Sequence, residues 1–201
     1  MKLVADGLTL VRGTRTLQSG LSFSVDRGTA LLVTGANGVG KSTLLRAIAG
    51  LFPASAGRVR LDGAADPDAI AEAAHYFGHL NAVKSGMTVE ENTRFWCGYL
   101  GGTAQNVLAA LETFGLLPLR DIPAGYLSAG QKRRLGLARL LVAERPVWLL
   151  DEPATSLDVA SQAVVANVVN RHLAAGGIVL AATHVPLGLS PATELALKAA
   201  A

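Results

Sequence analysis

The feature that most constrains this chain is the segment 35–43, Gly-Ala-Asn-Gly-Val-Gly-Lys-Ser-Thr. It has the form G-x-x-x-x-G-K-[ST]. Residues 29–34 (Thr-Ala-Leu-Leu-Val-Thr) precede it and read as a buried strand. Residues 43–49 (Thr-Leu-Leu-Arg-Ala-Ile-Ala) follow it as good helix formers, stopped by Gly50. Strand, glycine-rich turn and helix is the context in which this pattern predicts phosphate binding. Gly35, Gly38 and Gly40 let the backbone curl, so that the N–H groups of Ala36, Asn37, Val39 and their neighbours converge on one anion. The new helix adds its positive end. Lys41 would then reach the β- and γ-phosphates, Ser42 would hold Mg²⁺ through its hydroxyl, and Thr43 would contact the α-phosphate. An ordinary glycine-rich turn with an incidental lysine is the alternative, and the rest of the chain must decide.

With 201 residues the chain fits one domain with a substantial core. Hydrophobic residues make up 50% and charged residues 16%, which excludes a disordered chain. Mean hydropathy is high, +0.37, yet no apolar run approaches the roughly 18 residues of a membrane helix. Either a partner covers some apolar surface, or abundant alanine raises the index. The lone Cys97 excludes an internal disulfide, and the first residues do not resemble a secretory leader. Both point to the cytoplasm. A net charge of +3 suits nucleotides or a membrane face and is too weak to argue for nucleic acid.

Taken in order, residues 2–12 and 21–26 read as strands joined around Arg12 and Gly13. Short strands follow the helix at 58–61 and 74–78. Residues 88–91 (Thr-Val-Glu-Glu) form a capping box that opens a helix to about Leu100, stopped by Gly101 and Gly102. A second helix covers about 105–114. A third follows Ser128 and runs to Pro146. Residues 147–150 are a buried strand, 158–175 an amphipathic helix, and 178–183 the last clear strand. The Ala/Leu-rich tail after Pro186 gives no assignable signal. Strands alternating with helices predict an α/β fold with a mixed, mainly parallel sheet. The core is about 1–84 and 146–201, and a helical lobe of about 85–145 is inserted in it.

Ligands on such sheets sit beyond the carboxyl ends of the strands, and Gly35, Asp151 and His184 fall at such ends. Asp151, after four apolar residues, can hold Mg²⁺ opposite Ser42. Glu152 beside it can act as general base on a water; a solvent-facing acidic pair is the alternative. Residues 127–131 (Leu-Ser-Ala-Gly-Gln) open the third helix, where Ser128 and the N–H groups near Gly130 make an anion-binding helix start. A plain serine cap would look the same. The run Lys132, Arg133, Arg134 reads as a solvated helix face rather than a nucleic-acid stripe.

These residues together resemble the ABC-type ATPases. The sequence Leu-Ser-Ala-Gly-Gln is similar to that family's Leu-Ser-Gly-Gly-Gln signature. Its place after the phosphate loop, followed by Val-Trp-Leu-Leu-Asp-Glu at 147–152, Ser-Leu-Asp at 156–158 and Ala-Thr-His at 182–184, is similar from end to end. The resemblance covers about residues 1–188. It implies a P-loop NTPase fold, ATP and Mg²⁺ as ligands, and a head-to-tail homodimer that sandwiches two ATP molecules. It implies phosphate contacts from 35–43, contacts from Ser128 and Gly130 to the partner copy's γ-phosphate, and Mg²⁺ at Ser42 and Asp151. Glu152 would be the base, Asp158 a seam residue, His184 the γ-phosphate sensor.

Two positions depart from the pattern. His79 stands where a glutamine usually serves the metal and its water. Arg12 or Val11 stands where an aromatic usually stacks on adenine; a guanidinium can also stack on a base. A finer resemblance rests on Phe-Gly-His at 77–79 with Lys84, on 19–23 (Ser-Gly-Leu-Ser-Phe), and on 127–134. It is to the ATP-binding subunits of bacterial cytochrome c maturation, or heme-export, systems. It implies membrane permease subunits of that system as partners, a peripheral place on the cytoplasmic face of the inner membrane, and no nucleic acid. Other ABC transporters, a soluble ABC ATPase acting on ribosomes or DNA, a P-loop kinase and a non-catalytic subunit are the alternatives.

Overall fold

The computed structural model describes residues 1–66, 68–184 and 186–199. The chain forms two compact units. One comprises Met1–Tyr76, Arg145–Glu152 and Val168–Ala201, the other Phe77–Glu144 and Pro153–Asn167.

The first unit opens with β1 (Lys2–Arg12) and β2 (Arg15–Asp26), which pair antiparallel; β4 (Ala56–Asp62) pairs with the other edge of β1. β2 begins at Arg15, not at 21 as the alternation suggests. The hairpin pairing of Arg12 with Arg15 carries the strand through a polar stretch in which only Leu17 is apolar. The second sheet holds β3 (Ala30–Thr34), β5 (Ala74–Phe77), β6 (Val147–Asp151), β7 (Ile178–Ala182) and β8 (Ala192–Ala196), in the order β5-β6-β7-β3-β8. β6 and β7 are buried at every residue because both faces of the sheet are covered, as their unbroken apolar runs predict: Leu149 and Leu180 share a core with Leu44 and Leu45, and Trp148 stacks on the His172 ring. β8 lies in the tail that gave no signal. It pairs in parallel with β3, Leu31 opposite Thr193, and most of its side chains are exposed. An edge strand of this kind is held by its ladder more than by burial. The tail's last two residues lie outside the described residues.

Helix α1 (Lys41–Ile48) follows β3 and buries Leu44, Leu45 and Ile48 in the same core as Leu31, Val33, Leu149 and Leu180. The positions i, i+1 and i+4 share one helix face, so the phosphate-loop helix is fixed by its apolar stripe. A one-turn helix, α2 (Ile70–Ala73), leads into β5.

The second unit contains α3 (Val89–Leu100), α4 (Gln105–Thr113) and α5 (Ala129–Ala138). The capping box on α3 forms as its sequence predicts: the Glu91 N–H donates to Thr88 Oγ1 at 3.1 Å, and the Thr88 N–H to Glu91 Oε2 at 2.8 Å. Gly101, at φ +77°, ends the helix. α5 is shorter than expected and stops at Ala138. Past that point the N–H groups of Leu140 and Leu141 fold back onto Leu137 and Ala138 at 3.0 Å, and the Val142 carbonyl is taken by the Asn106 amide at 3.1 Å. The chain thus tightens into i→i−3 turns after α5, and the Val142 carbonyl, for which Pro146 has no N–H, goes to a side chain instead. Asp158 accepts from the Ser161 N–H at 2.7 Å and opens α6 (Val159–Ala174). The same bond holds the Asp158 carboxyl below its usual range.

Among the described residues, no helix is long and apolar enough to cross a membrane.

Candidate active site

The site grows from the carboxyl ends of β3, β6 and β7. Beyond β3 the chain turns at Gly35, whose φ is +133° and whose Cβ, were there one, would lie 2.6 Å from the Leu197 carbonyl oxygen. Gly40, at φ +112°, hands the loop to α1 in a conformation that side chains rarely adopt. Ala36, Asn37 and Gly38 are exposed at the crown, while Val39, Gly40 and Lys41 are buried at its base. The Lys41 ammonium donates to the carbonyls of Gly35 (2.8 Å) and Ala36 (3.1 Å). The loop is thus closed around its own cation, and the first N–H groups of α1 have no partner within the helix.

Ser42, in the first turn of α1, donates its hydroxyl to Asp151 Oδ1 at 3.0 Å across 109 residues. Asp151 is the last residue of β6 and only 4% exposed. A hydroxyl and a buried carboxylate oxygen side by side are hard ligands that suit Mg²⁺, which takes few protein ligands and completes its shell with water and phosphate. The residues present therefore fit that ion.

Glu152 comes next and leaves the sheet with φ +51°, a region costly for a side-chain-bearing residue. Its N–H still donates to the Ala182 carbonyl at 2.7 Å, so β6 remains tied to β7 while the side chain is re-aimed. The carboxylate turns to His184, two residues past β7. The His184 N–H donates to Glu152 Oε2 at 3.3 Å, and its Nε2 stands 3.6 Å from Oε1. An acid beside an exposed imidazole can orient a water and exchange its proton.

Arg12 is exposed at the tip of the β1–β2 hairpin. The same hairpin reaches the phosphate loop through Leu17, whose Cβ lies 3.3 Å from where a Gly40 Cβ would stand. Thr43 is half-buried in α1.

The first unit thus brings together the loop, Ser42, Asp151, Glu152 and His184. Ser128, Gly130 and His79 belong to the second. Ser128 caps α5 in a capping box: the Gln131 N–H donates to Ser128 Oγ at 3.2 Å and the Ser128 N–H to Gln131 Oε1 at 2.8 Å. Gly130 lies close to the Ser156 carbonyl, 3.2 Å from its would-be Cβ. His79 is exposed, and its carbonyl accepts from Arg133 at 3.0 Å.

Arg133 is what sequence reasoning missed. It is not part of a solvated basic face. It is 4% exposed, lies over the Phe77 ring at 4.2 Å, and donates to the Gly78, His79 and Pro153 carbonyls and to Asn81. Its neighbours are engaged too: Lys132 with the Gly125 carbonyl, Arg134 with that of Phe114. The overlooked signal is that Arg133 stands one turn before Gly136 and Leu137, which are buried on the same face of α5.

A phosphate loop after β3, with acidic residues at the end of β6, the next parallel strand beyond β7, defines a nucleotide-binding domain of the P-loop class. The family model described as ABC transporter matches residues 18–155. The chain belongs to that family and is an ABC-type ATPase. It is 52% identical over 201 residues to the cytochrome c biogenesis ATP-binding export protein CcmA of Chelativorans sp. (strain BNC1), with 99% of each chain covered. It is 50% identical over 202 residues to the protein of the same name from Nitrobacter winogradskyi, covering all of both chains. Among solved structures, a putative ABC transporter ATP-binding protein from Pyrococcus furiosus superposes with a TM-score of 0.82 at 22% identity, over 97% of this chain and 98% of that one. That likeness speaks to the fold.

Proposed function

We propose that this chain is the ATP-hydrolysing subunit of a cytochrome c biogenesis export complex. In that complex it would couple ATP hydrolysis to heme delivery or to release of a heme-loaded chaperone. The observation that carries the ATPase part is the placement of Lys41, the Ser42–Asp151 pair and the Glu152–His184 pair at adjacent strand ends. The heme part is supported by full-length relatives that bear the cytochrome c biogenesis name.

In this reading the N–H groups of 36–43 and the Lys41 ammonium cradle the β- and γ-phosphates, and Thr43 reaches the α-phosphate. Arg12 lies against the base. Ser42 and Asp151 would hold Mg²⁺ and His79 would serve the same ion; when bound, the ion would offset phosphate charge. Glu152 takes a proton from a water whose oxygen attacks the γ-phosphorus. The bond to the β–γ bridging oxygen breaks, and ADP and phosphate leave. His184 holds Glu152 in place and senses the γ-phosphate. Catalysis of this kind is mostly positioning and electrostatics.

Ser128 and Gly130 serve the nucleotide of a second copy in a head-to-tail homodimer, with Asp158 at the seam. ATP closes that dimer, and hydrolysis opens it. The membrane permease subunits of the cytochrome c maturation complex take up the motion, which places the chain peripherally on the cytoplasmic face of the inner membrane. No nucleic acid enters this cycle.

The test is affinity capture from solubilised membranes with Glu152→Gln and ATP. Recovery of cytochrome c maturation membrane subunits is expected. Recovery of an unrelated permease would discard the heme link and keep the ATPase.

A further inference from the structure

Gln18 lies in β2 and is 7% exposed. Its amide nitrogen donates twice, to the Val39 carbonyl at 3.0 Å and to the Lys198 carbonyl at 2.8 Å. Both partners are acceptors only, so the amide orientation is fixed: the NH₂ group must face them. One side chain thereby joins the middle of the phosphate loop to the segment just past β8.

The strand is irregular here. Leu10 pairs with Gln18 and Val11 with Thr16, so Leu17 is an extra residue in the ladder. Such a bulge re-aims side chains. Leu17 and Gln18 are successive residues that would otherwise face opposite ways. Both approach Gly40: a Cβ there would lie 3.3 Å from Leu17 Cβ and 3.9 Å from Gln18 Cγ.

We propose that Gln18 is a positioning residue for phosphate binding, acting through the peptide between Val39 and Gly40. That peptide is planar, and its C=O and N–H point in opposite directions. Drawing the Val39 carbonyl toward β2 turns the Gly40 N–H toward the anion, at the point where Gly40 leaves the loop for α1. The second bond makes the setting depend on the C-terminal segment. Leu197 is held there by its N–H on the Thr34 carbonyl at 2.9 Å, and its own carbonyl packs on Gly35. The inference rests on the phosphate-loop reading proposed above.

The experiment titrates the ¹⁵N-labelled full chain with Mg-ADP and follows the Gly40 amide. Wild type, Gln18→Met, a chain ending at Leu197, and Lys41→Ala are compared. Methionine keeps the length and loses both donors. A hydrogen bond to phosphate moves an amide proton downfield, a response that mere loosening of β2 would not abolish selectively. Gln18→Met is expected to bind Mg-ADP about tenfold more weakly and to show less than half the wild-type Gly40 shift. Its melting temperature without nucleotide should stay within about 5 °C of wild type. The chain ending at Leu197 is expected to fall between the two. If Lys41→Ala loses binding while Gln18→Met matches wild type in affinity and Gly40 shift, this inference alone is overturned. If Lys41→Ala binds Mg-ADP like wild type, the phosphate-loop reading fails and this inference with it. Should Gln18→Met fail to fold, the chain ending at Leu197 decides: wild-type affinity and shift in that chain overturn the proposal.

Discussion

Glu152 and His184 meet through both carboxylate oxygens of the glutamate. Oε2 accepts the His184 N–H at 3.3 Å, and Oε1 lies 3.6 Å from Nε2. The glutamate reaches this place by leaving β6 at φ +51°, a backbone setting that costs about 1–2 kcal/mol for an L residue. Strain held beside a strand end, with the side chain aimed at a second titratable group, is the pattern expected where a water is handled.

Glu152→Gln should therefore lower ATP turnover by about 100-fold or more while ATP binding stays near the wild-type level. With ATP the variant should elute as a dimer on size-exclusion chromatography. Wild-type turnover in this variant would remove Glu152 from the role of base.

His184→Ala should lower turnover with little change in ATP affinity. The two residues act as one unit, so Glu152→Gln combined with His184→Ala should be scarcely slower than Glu152→Gln alone. Steady-state rates of the single and double variants measure this. Multiplied defects would show that His184 acts independently of Glu152.

The Ser42–Asp151 pair predicts a metal phenotype. Asp151→Asn keeps the shape of the side chain and removes its charge, so the Mg²⁺ concentration for half-maximal ATP turnover should rise at least about tenfold. Ser42→Ala should give a smaller rise. A Mg²⁺ titration of ATP hydrolysis checks both, and an unchanged midpoint in Asp151→Asn would place the ion elsewhere.

His172 predicts a pH dependence of stability away from the site. Its ring stacks on Trp148 at 3.9 Å, and burial pushes its pKa down to about 4. Between about 4 and 6.5 the unfolded chain binds the proton and the folded chain does not, so stability falls as pH drops through that window. The loss should be about 1–2 kcal/mol, allowing for the partial exposure of the ring. His172→Phe keeps the stacked ring and should flatten the melting-temperature profile between those limits. An unaltered slope would assign it to other groups.

How much of this was legible beforehand depended on where the physical signal lay. Strands β3, β6 and β7, the loop at 35–43 and the caps at Thr88 and Ser128 announce themselves through apolar runs, glycine spacing and cap residues. Asp151, Glu152 and His184 could be placed together because strand ends of a parallel sheet share one edge. β8 was invisible because its side chains are mostly exposed and, among the described residues, only β3 gives it a ladder. The first part of β2 was hidden by its polar residues, and with it the contact of Gln18 to the phosphate loop. Arg133 read as surface because its charge masks the buried side of α5; the carbonyl groups of 78–79 and 153, with Asn81 and the Phe77 ring, explain why a cation is there.

The most direct test of the whole account is made in the organism that carries the chain. The chromosomal copy is replaced by Lys41→Ala, and c-type cytochromes are read by heme-stained gel with b-type cytochromes as the internal control. The account predicts that covalent heme staining of the c-type proteins is lost while b-type heme is unchanged. A strain whose Lys41→Ala protein has no ATP turnover, yet whose c-type cytochromes form at wild-type levels, would contradict it.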